Sequence, residues 1–313
     1  MKIINAKMDY FEEAVDIAFN SYMAEGKQVE AIDNCSRAEI SKEMFAAFKN
    51  NKGFLCLENE KLVGYLVYGK IRKSDGTLWC MVPLCGCGAE GQSRVKVISM
   101  LFQKLAEELC INQKVHFEIK LYAHDSEVIQ LFSFLQFGIQ CEEGIRYINS
   151  DVSCSTNVKI KELSKDEVVK NWEEIWKLLK GLIKHLQESP VFYSGTEFTE
   201  AVYKDFLMDN NTRVVVSEIE KELVGIITAN KDGNSFINRQ ADCYNVGEAY
   251  VLPKYRGSMV AQSMLDYVSN ILAKEDAHRL WVEHGTANPN ARGFWNKYFT
   301  TYGYTMIRDI EVF

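Results

Sequence analysis

Two stretches of the chain repeat one pattern of polar and apolar positions. Residues 59–69 (NEKLVGYLVYG) and 220–230 (EKELVGIITAN) each open on a polar turn and continue as an apolar strand. The two copies align Gly64 with Gly225, at an offset of 161 positions. Three further pairs follow the same order at offsets between 157 and 165: Ile3 with Ile160, Glu118 with Glu283, and Gly138 with Gly303. Four ordered matches near one offset predict a duplicated unit that spans about half of the chain.

Each copy starts with the spacing of a helix N-terminus. Asp9 precedes Glu12 by three positions and Ser164 precedes Glu167 by three, which predicts a capping box in both copies. From Ser164 onward, apolar residues recur every three or four positions: Val168, Trp172, Ile175, Leu179, Leu182 and Leu186. This period predicts one amphipathic helix whose aromatic residues belong to the core.

The order of elements predicts the fold class. In each copy, helices come first, strands follow, and the remainder alternates strand, helix, strand, helix, strand. This arrangement is typical of a mixed α/β sheet. The polar stretch 149–157 (NSDVSCSTN) has no periodicity and predicts the seam, so we place two domains at residues 1–152 and 158–313.

Composition and charge narrow the classes of protein. A length of 313 residues suits two domains, and 47% hydrophobic with 25% charged residues is typical of a globular protein. The net charge of -7 argues against a nucleic-acid partner. No apolar run approaches the roughly 20 residues of a membrane span, and the first residues lack a signal-peptide core. We therefore expect a cytoplasmic protein without a nucleic-acid or membrane partner.

The nine cysteines are scattered, and the densest group is Cys80, Cys85 and Cys87. A structural zinc site needs a second ligand pair at a suitable spacing, and none follows this group. Small buried thiols are the favoured interpretation, and we expect no metal site.

Residues 251–265 (VLPKYRGSMVAQSML) pass from a strand through a turn into a helix, with Arg256, Gly257 and Ser258 at the turn. One interpretation is a plain turn. The other is an anion cradle, because the first amides of a helix lack intrahelical partners and point at whatever precedes them. Gly257 lets the backbone approach a ligand closely, and Arg256 adds a positive charge.

The second half of the chain resembles the GNAT acetyltransferase superfamily over roughly residues 159–313. In the acyl-CoA-binding segment of that family, a strand is followed by Arg/Gln-x-x-Gly-x-Gly/Ala and a helix, and residues 256–261 hold those places here. Residues 288–304 (NPNARGFWNKYFTTYGY) resemble a later family segment, with Asn288 and Ala291 in its Asn-x-x-Ala pattern. The resemblance implies acetyl-CoA as cosubstrate and these cofactor-binding residues: Tyr250, Val251, Arg256, Gly257, Ser258, Met259, Val260, Ala261 and Asn288.

The resemblance also implies catalytic roles, with two departures from the family pattern. Glu248 holds the place of the family's base, although a solvated or salt-bridged glutamate is an equal alternative. Trp295 stands where the family has an acidic tyrosine, so Tyr298 is the substitute candidate, with core packing as its alternative. Met259 stands where a glycine is usual, and its side chain either narrows the cradle or points into the core.

The first half resembles the same fold more faintly. Its aligned loop places Gln92 against Arg256 and Ser93 against Gly257, and no glycine follows at the later positions of the pattern. We interpret residues 1–152 as a degenerate GNAT-like domain and residues 158–313 as the acyl-CoA-binding one. The expected fold is two tandem domains, each a mostly antiparallel sheet with a splayed parallel pair, flanked by helices.

The expected function is acetyl transfer from acetyl-CoA to an amine of a small molecule or peptide by direct attack. A catalytically inactive protein of the same fold, which binds acyl-CoA or a partner, is the alternative that Met259 and Trp295 favour. Transfer of aminoacyl groups from tRNA is a third interpretation, against which the acidic chain argues. The sequence leaves a homodimer open.

Overall fold

The computed structural model describes residues 1–32, 35–73, 75–148, 158–193, 195 and 198–312. The predicted seam at residues 149–157 lies outside the described residues. Two compact units are formed. The first contains residues 1–143, 235–237 and 301–313, and the second contains residues 144–234 and 238–300. The division into homologous domains at 152 and 158 stays a prediction.

The two halves share an order of helices and strands, except that the first half has two additional strands before α3 and the second half has one additional helix before β10. The first half contains β1 (Lys2–Asn5), α1 (Phe11–Gly26), α2 (Arg37–Lys49), β2 (Gly53–Glu58), β3 (Lys61–Val67), β4 (Gly69–Arg72), β5 (Leu78–Val82), β6 (Cys87–Ala89), α3 (Arg94–Leu109), β7 (Lys114–Tyr122), α4 (Ser126–Phe134) and β8 (Gly138–Tyr147). The second half contains β9 (Lys159–Leu163), α5 (Lys165–Lys170), α6 (Trp172–Gln187), α7 (Glu200–Met208), β10 (Arg213–Ile219), β11 (Glu222–Asn230), β12 (Cys243–Val251), α8 (Val260–Ala273), β13 (Arg279–Gly285), α9 (Pro289–Tyr298) and β14 (Thr300–Glu311).

The strand order repeats as well. In unit 1, β1, β2, β3 and β6 form an antiparallel sheet in that order. In unit 2, β9, β10, β11 and β12 pair antiparallel in the corresponding order. Each unit adds a parallel pair, β5 with β7 and β12 with β13. The predicted mixed α/β fold is confirmed, and the matched residues of the sequence repeat fall on corresponding strands.

The last strand of the chain belongs to unit 1. β14 pairs antiparallel with β7, from Gly303 opposite Tyr122 to Glu311 opposite Lys114. Conversely, the end of β8 belongs to unit 2, where Ile145 is fully buried. Each unit therefore contains a strand, or part of one, that the other half of the sequence encodes.

One predicted capping box is present and the other is wrong. At Ser164, the backbone N–H donates to the Glu167 carboxylate (2.9 Å), and the Glu167 N–H donates to the Ser164 hydroxyl (3.3 Å). A short 3-10 helix, Met8–Tyr10, instead precedes α1, so Asp9 is not the residue before the helix. The predicted single helix is also divided into α5 and α6, because the Asn171 side chain donates to the Glu167 carbonyl (2.7 Å) at the break.

Helices cover both faces of the unit 2 sheet. On one face, α8 packs Val260, Met264 and Val268 against strands β10 to β12. On the other face, α6 and α7 pack their apolar stripes, including Leu179 and Leu207, against the same strands. Strand β12 therefore lies between two helical layers.

The described part of the chain contains neither a membrane-spanning helix nor a cluster of metal ligands. Of the helices that the structure describes, none has the length and apolar character that a membrane span requires. Within residues 1–32, 35–73, 75–148, 158–193, 195 and 198–312, no group of three or more His, Cys, Asp or Glu side chains is arranged to hold a metal ion.

Candidate active site

Strands β12 and β13 separate after a short parallel pairing. The pairs are Cys243 with Arg279, Tyr244 with Leu280 and Asn245 with Trp281, and no further pair follows within residues 243–285, all of which the structure describes. On its other edge, β12 stays paired with β11 as far as Val251. From Val246 onward, the β12 backbone thus has no strand partner on the β13 side.

A cavity of about 280 Å³ lies beside this part of β12. Its walls come from β12, from the start of α8, and from α6 and α9. Seven of the predicted cofactor-binding residues line it together: Tyr250, Val251, Arg256, Gly257, Val260, Ala261 and Asn288. The other predicted site residues, Glu248, Ser258, Met259 and Tyr298, are not part of its lining.

The loop before α8 exposes backbone amides to the cavity side. Gly257 (φ 77°) and Met259 (φ 67°) both adopt left-handed conformations. The first backbone hydrogen bond of α8 runs from Ser263 N to Met259 O (3.0 Å), so the amides of residues 260–262 precede the helical ladder. These amides and the positive end of the helix dipole together make a site that favours an anion.

The conformation of Met259 explains why this position suits glycine. Left-handed backbone places Cβ close to the following carbonyl oxygen, which costs an L-residue roughly 1–2 kcal/mol. Its side chain is 41% exposed and does not line the cavity. The expectation that the Met259 side chain enters the core is therefore wrong, whereas its effect on the width of the cradle stays a prediction.

We predict that Met259→Gly stabilises the protein. The substitution relieves about 1–2 kcal/mol of left-handed strain and adds roughly 0.5–1 kcal/mol of unfolded-state entropy. The free energy of unfolding in urea should therefore rise by about 0.5–1 kcal/mol. Met23→Gly is the matched control, since Met23 is similarly exposed within α1, and it should lower the unfolding free energy. A lower stability for Met259→Gly would contradict the strain argument.

Arg256 folds back along β12 in this structure. Its Nε donates to the Val251 carbonyl (3.1 Å), and its guanidinium lies 5.4 Å from the centre of the Tyr250 ring. The hydroxyl of Ser258 donates to the Tyr255 carbonyl (2.6 Å) and so braces the turn. A ligand that bonds to the Val251 carbonyl would therefore share that oxygen with Arg256 or displace its side chain.

Asn288 connects two walls of the cavity. It is buried and caps α9, where its Oδ1 accepts from the Ala291 N–H (3.2 Å). The same Oδ1 lies 3.3 Å from His185 Nε2, on α6. Sequence reasoning missed His185, because a single histidine among the lysines of an amphipathic helix carries no distinguishing signal.

Glu248 lies on the face of β12 opposite α8, where β12 bulges. The bulge places Gly247 and Glu248 opposite the single residue Thr228, whose hydroxyl accepts from the Glu248 N–H (2.9 Å). Burial raises the pKa of Glu248 to about 7, and a hydrogen bond from the Tyr203 hydroxyl lowers it in part. A carboxyl group with such a pKa is poised for proton transfer near neutral pH.

Tyr203 is a second residue that sequence reasoning missed. It lies on α7 with 3% of its surface exposed, and its ring contacts Trp176 and Phe198. No motif surrounds it in the sequence. Its contact with Glu248 arises from the packing of α7 on the sheet.

Trp295 and Tyr298 take different places on α9. Trp295 is buried between Phe294 and Phe299 and reaches the cavity wall. Tyr298 packs edge-on against Phe294, with 5.2 Å between ring centres, outside the cavity lining. The acid role of Tyr298 stays a prediction.

Comparison with known proteins agrees with this geometry. Residues 179–299 match the family described as the acetyltransferase (GNAT) family, whereas no curated protein matches the chain in sequence. A GCN5-related N-acetyltransferase from Sphaerobacter thermophilus superposes with a TM-score of 0.55 at 10% identity, over 99% of this chain and 98% of that one. The fold is thus shared over nearly the whole length.

Two further solved structures are similar to the chain. One contains the GCN5-related glucosamine N-acetyltransferase region of a fungal multi-domain GH3 β-N-acetylglucosaminidase (TM-score 0.51, 10% identity, 98% of this chain and 38% of that one). The other is a tandem GNAT protein from the clavulanic acid biosynthesis pathway (TM-score 0.47, 11% identity, 99% and 98%).

Proposed function

We propose that this chain, whose residues 179–299 match the acetyltransferase (GNAT) family, transfers an acetyl group from acetyl-CoA to an amine of a small molecule or peptide. The observation that carries the proposal is the opening between β12 and β13, with the amides of the α8 N-terminus at its end. The open edge of β12, the anion site at the start of α8 and the Glu248 carboxyl group, whose pKa is raised, all lie in unit 2.

The residues of the cavity suit the parts of acetyl-CoA. The amides of residues 260–262 and the Arg256 guanidinium would hold the pyrophosphate, since hydrogen bonds to charged groups contribute roughly 1.5–3 kcal/mol each. The unpaired β12 backbone and the Val251 carbonyl would bond the amides of the pantetheine arm. Val260, Ala261 and Trp295 provide apolar wall along the same path.

Acetyl-CoA supplies the thioester, and the chain supplies position and proton transfer. The acceptor amine nitrogen forms a bond to the acetyl carbon, and the carbon–sulfur bond breaks. Glu248 would receive the proton that the amine loses, directly or through water. Tyr203 would hold the Glu248 carboxylate and favour its charged form through the hydrogen bond described above.

The first half does not offer a matching cradle. Ser93, which aligns with Gly257, has a φ of -96° and precedes α3 without a side-chain cap. Arg94, at the first position of α3, is held by the Asp125 carboxylate at 2.9 and 2.5 Å. The Arg94 side chain is therefore already paired with a carboxylate, and Ser93 before α3 lacks the left-handed conformation that Met259 has before α8, so we expect one CoA site per chain, in unit 2.

Arg256→Glu tests the assignment of the loop. Reversing the charge beside the pyrophosphate should weaken acetyl-CoA binding about tenfold or more at low salt, and less at high salt because screening shortens the reach of the charge. Titration calorimetry measures both the affinity and the number of sites. Lys274→Glu, at the opposite end of α8, is the control and should bind as the wild type does. Undiminished binding by Arg256→Glu, or two sites per chain, would refute the assignment.

The inactive binding protein remains the second candidate, favoured by Met259 and Trp295. Both residues depart from the family pattern, and Trp295 has no ionisable proton in the useful range. A screen of amines with acetyl-CoA, followed by thiol release, separates the two functions. If acetyl-CoA binds and no amine is acetylated, the binding-protein function replaces the enzyme.

A further inference from the structure

The cavity beside β12 is lined from both faces of the unit 2 sheet. Val260 and Met264 line it from α8, which packs on one face, and Leu182 lines it from α6, which packs on the other. The separation of β12 from β13 leaves a gap in the sheet between these two sides. A ligand whose phosphates lie at the start of α8 and whose chain passes through this gap therefore ends on the α6 side, which is also the side of Glu248.

A histidine lines the cavity on the α6 side. Among the described residues of the lining, His185 is the only histidine, and none is Asp, Glu, Cys or Lys. Histidine is the side chain whose charge ordinarily changes between about pH 5 and 8. His185 is therefore the lining group best suited to exchange a proton near neutral pH, and the acetyl-transfer steps described above give it no role.

Asn288 determines which ring nitrogen of His185 carries the proton in the neutral state. The Asn288 Oδ1 accepts a hydrogen bond from the Ala291 N–H (3.2 Å), so this atom is the carbonyl oxygen and has no proton to give. His185 Nε2 lies 3.3 Å from the same oxygen and must be the donor. The second proton of the charged imidazole therefore belongs on Nδ1, which has no hydrogen-bond partner in the part of the chain that the structure describes.

Acetyl transfer needs a proton at the sulfur of CoA. When the carbon–sulfur bond of the thioester breaks, the electron pair of that bond stays on the sulfur. Trp295 lines the cavity, but its indole N–H does not ionise in the useful range. Tyr298 lies outside the lining. His185 is the group that remains.

We propose, on the basis of the acetyl-transfer function, that His185 is the catalytic acid and that its Nδ1–H protonates the sulfur as the carbon–sulfur bond breaks. The step leaves CoA as a neutral thiol and His185 as a neutral imidazole. Glu248 takes the proton that the amine loses. Solvent then removes a proton from Glu248 and returns one to His185, so that atoms and charges balance over the cycle. Asn288 is a positioning residue, because its oxygen holds Nε2–H and thereby fixes the tautomer.

Titration of the thiol of bound CoA tests this role without turnover. An imidazolium beside a thiol stabilises the thiolate, so CoA bound to the wild type should contain about tenfold more thiolate near neutral pH than CoA bound to His185→Gln. The ultraviolet absorbance of the thiolate measures both. Glutamine can still donate to Asn288 but does not titrate. His278→Gln, which removes an exposed histidine just before β13, is the matched control and should behave as the wild type does.

Other charged groups also act on the bound thiol, and the comparison between the two chains cancels their effect. The titratable groups on the elements around the cavity include Lys184 and Glu188 of α6, which pair with each other (3.7 Å), Glu248 and Tyr250 of β12, Tyr255 and Arg256 before α8, His284 of β13, and Arg292 of α9. All of them remain in His185→Gln. Glu248 has a pKa of about 7 and ionises in the same range as an imidazole. The thiolate difference should therefore persist when both chains also carry Glu248→Gln.

Turnover gives a second measurement. His185→Gln should lower kcat by roughly 10–100-fold, less than most losses of a proton-transfer group because the thiol of CoA is already a fair leaving group, and calorimetry should find the affinity for acetyl-CoA nearly unchanged. His185→Asn takes its place if His185→Gln does not fold. The acid role is overturned if CoA binds and its thiolate content is the same in the wild type and in the His185 variant. If CoA does not bind to the wild type at all, the proposed function itself is refuted, and the role of His185 with it.

Discussion

Glu248→Gln lowers the turnover of acetyl transfer by about 10²–10⁴-fold, the range expected for loss of a positioned base, and leaves the affinity for acetyl-CoA nearly unchanged. A lysine-like acceptor amine has a pKa near ~10.4 and is mostly protonated at neutral pH. It must lose a proton before or during attack. Glutamine keeps the size of the side chain and removes its ability to take that proton. Steady-state kinetics and calorimetry measure the two effects separately.

The pH profile of the same variant gives a sharper test. Glu248 acts as a base only when it is ionised, so wild-type kcat/KM should fall as the pH drops below about 7. Glu248→Gln should lack this acidic limb. Tyr203→Phe removes the hydrogen bond that favours the charged form, so the limb should move to higher pH. Unchanged turnover and an unchanged profile in Glu248→Gln would show that the proton leaves through solvent.

Two further variants serve as controls for the effect of Glu248→Gln on turnover. Glu218→Gln removes a partly buried strand carboxylate of β10 in the same unit, and its kinetics should equal those of the wild type. Tyr298→Phe distinguishes an acid from a core residue: loss on the basic limb would support proton donation. No change would be in keeping with the packing of Tyr298 against Phe294 outside the cavity.

The fragment of residues 158–313 does not fold cooperatively, which is the second large effect we expect. It lacks Ile145 and Ile148, which are 0% and 6% exposed in unit 2, and removal of a buried isoleucine side chain costs about 2–5 kcal/mol. It also carries β14 without β7, its partner over nine residue pairs. These losses are comparable with a whole domain stability of about 5–15 kcal/mol. Circular dichroism during urea titration should show no sharp transition.

The fragment of residues 144–300 is the matched comparison. It keeps the end of β8, including the hydrogen bond from Ile148 N–H to the His278 carbonyl (2.9 Å), and it omits β14. We expect a cooperative transition and retained acetyl-CoA binding. Cooperative unfolding of residues 158–313, with none for residues 144–300, would contradict the assignment of strands to units.

The sequence pattern predicts those structural features that are determined by residues close together in the chain. The strand-to-helix turn at Gly257 follows from a local motif, and the capping box at Ser164 follows from a three-residue spacing. Asp9 shows where a prediction from spacing fails. Its spacing to Glu12 fits a capping box, but Asp9 lies within the short 3-10 helix Met8–Tyr10 instead. The sequence pattern also does not reveal the left-handed backbone of Met259, or that its side chain is exposed to solvent.

Features set by packing between distant residues are not available from the sequence. Tyr203 meets Glu248 across 45 positions, His185 meets Asn288 across 103 positions, and neither pair has a motif. The separation of β12 from β13 depends on which backbone groups remain unpaired. The place of β14 in unit 1 depends on its pairing with β7, which composition does not reveal.

The pairing of β7 with β14 has a consequence for the nascent chain. Tyr122 and Gly303, opposite each other in the ladder, are 181 positions apart, and ribosomes add about 5–20 residues per second. After its residues have been made, β7 therefore waits roughly 10–40 s for its partner. During that interval its edge presents unpaired N–H and C=O groups, a surface that other chains can extend. While many copies of this chain are being synthesised close together, the unpaired edge of β7 can therefore promote aggregation. In the folded protein that edge is paired with β14.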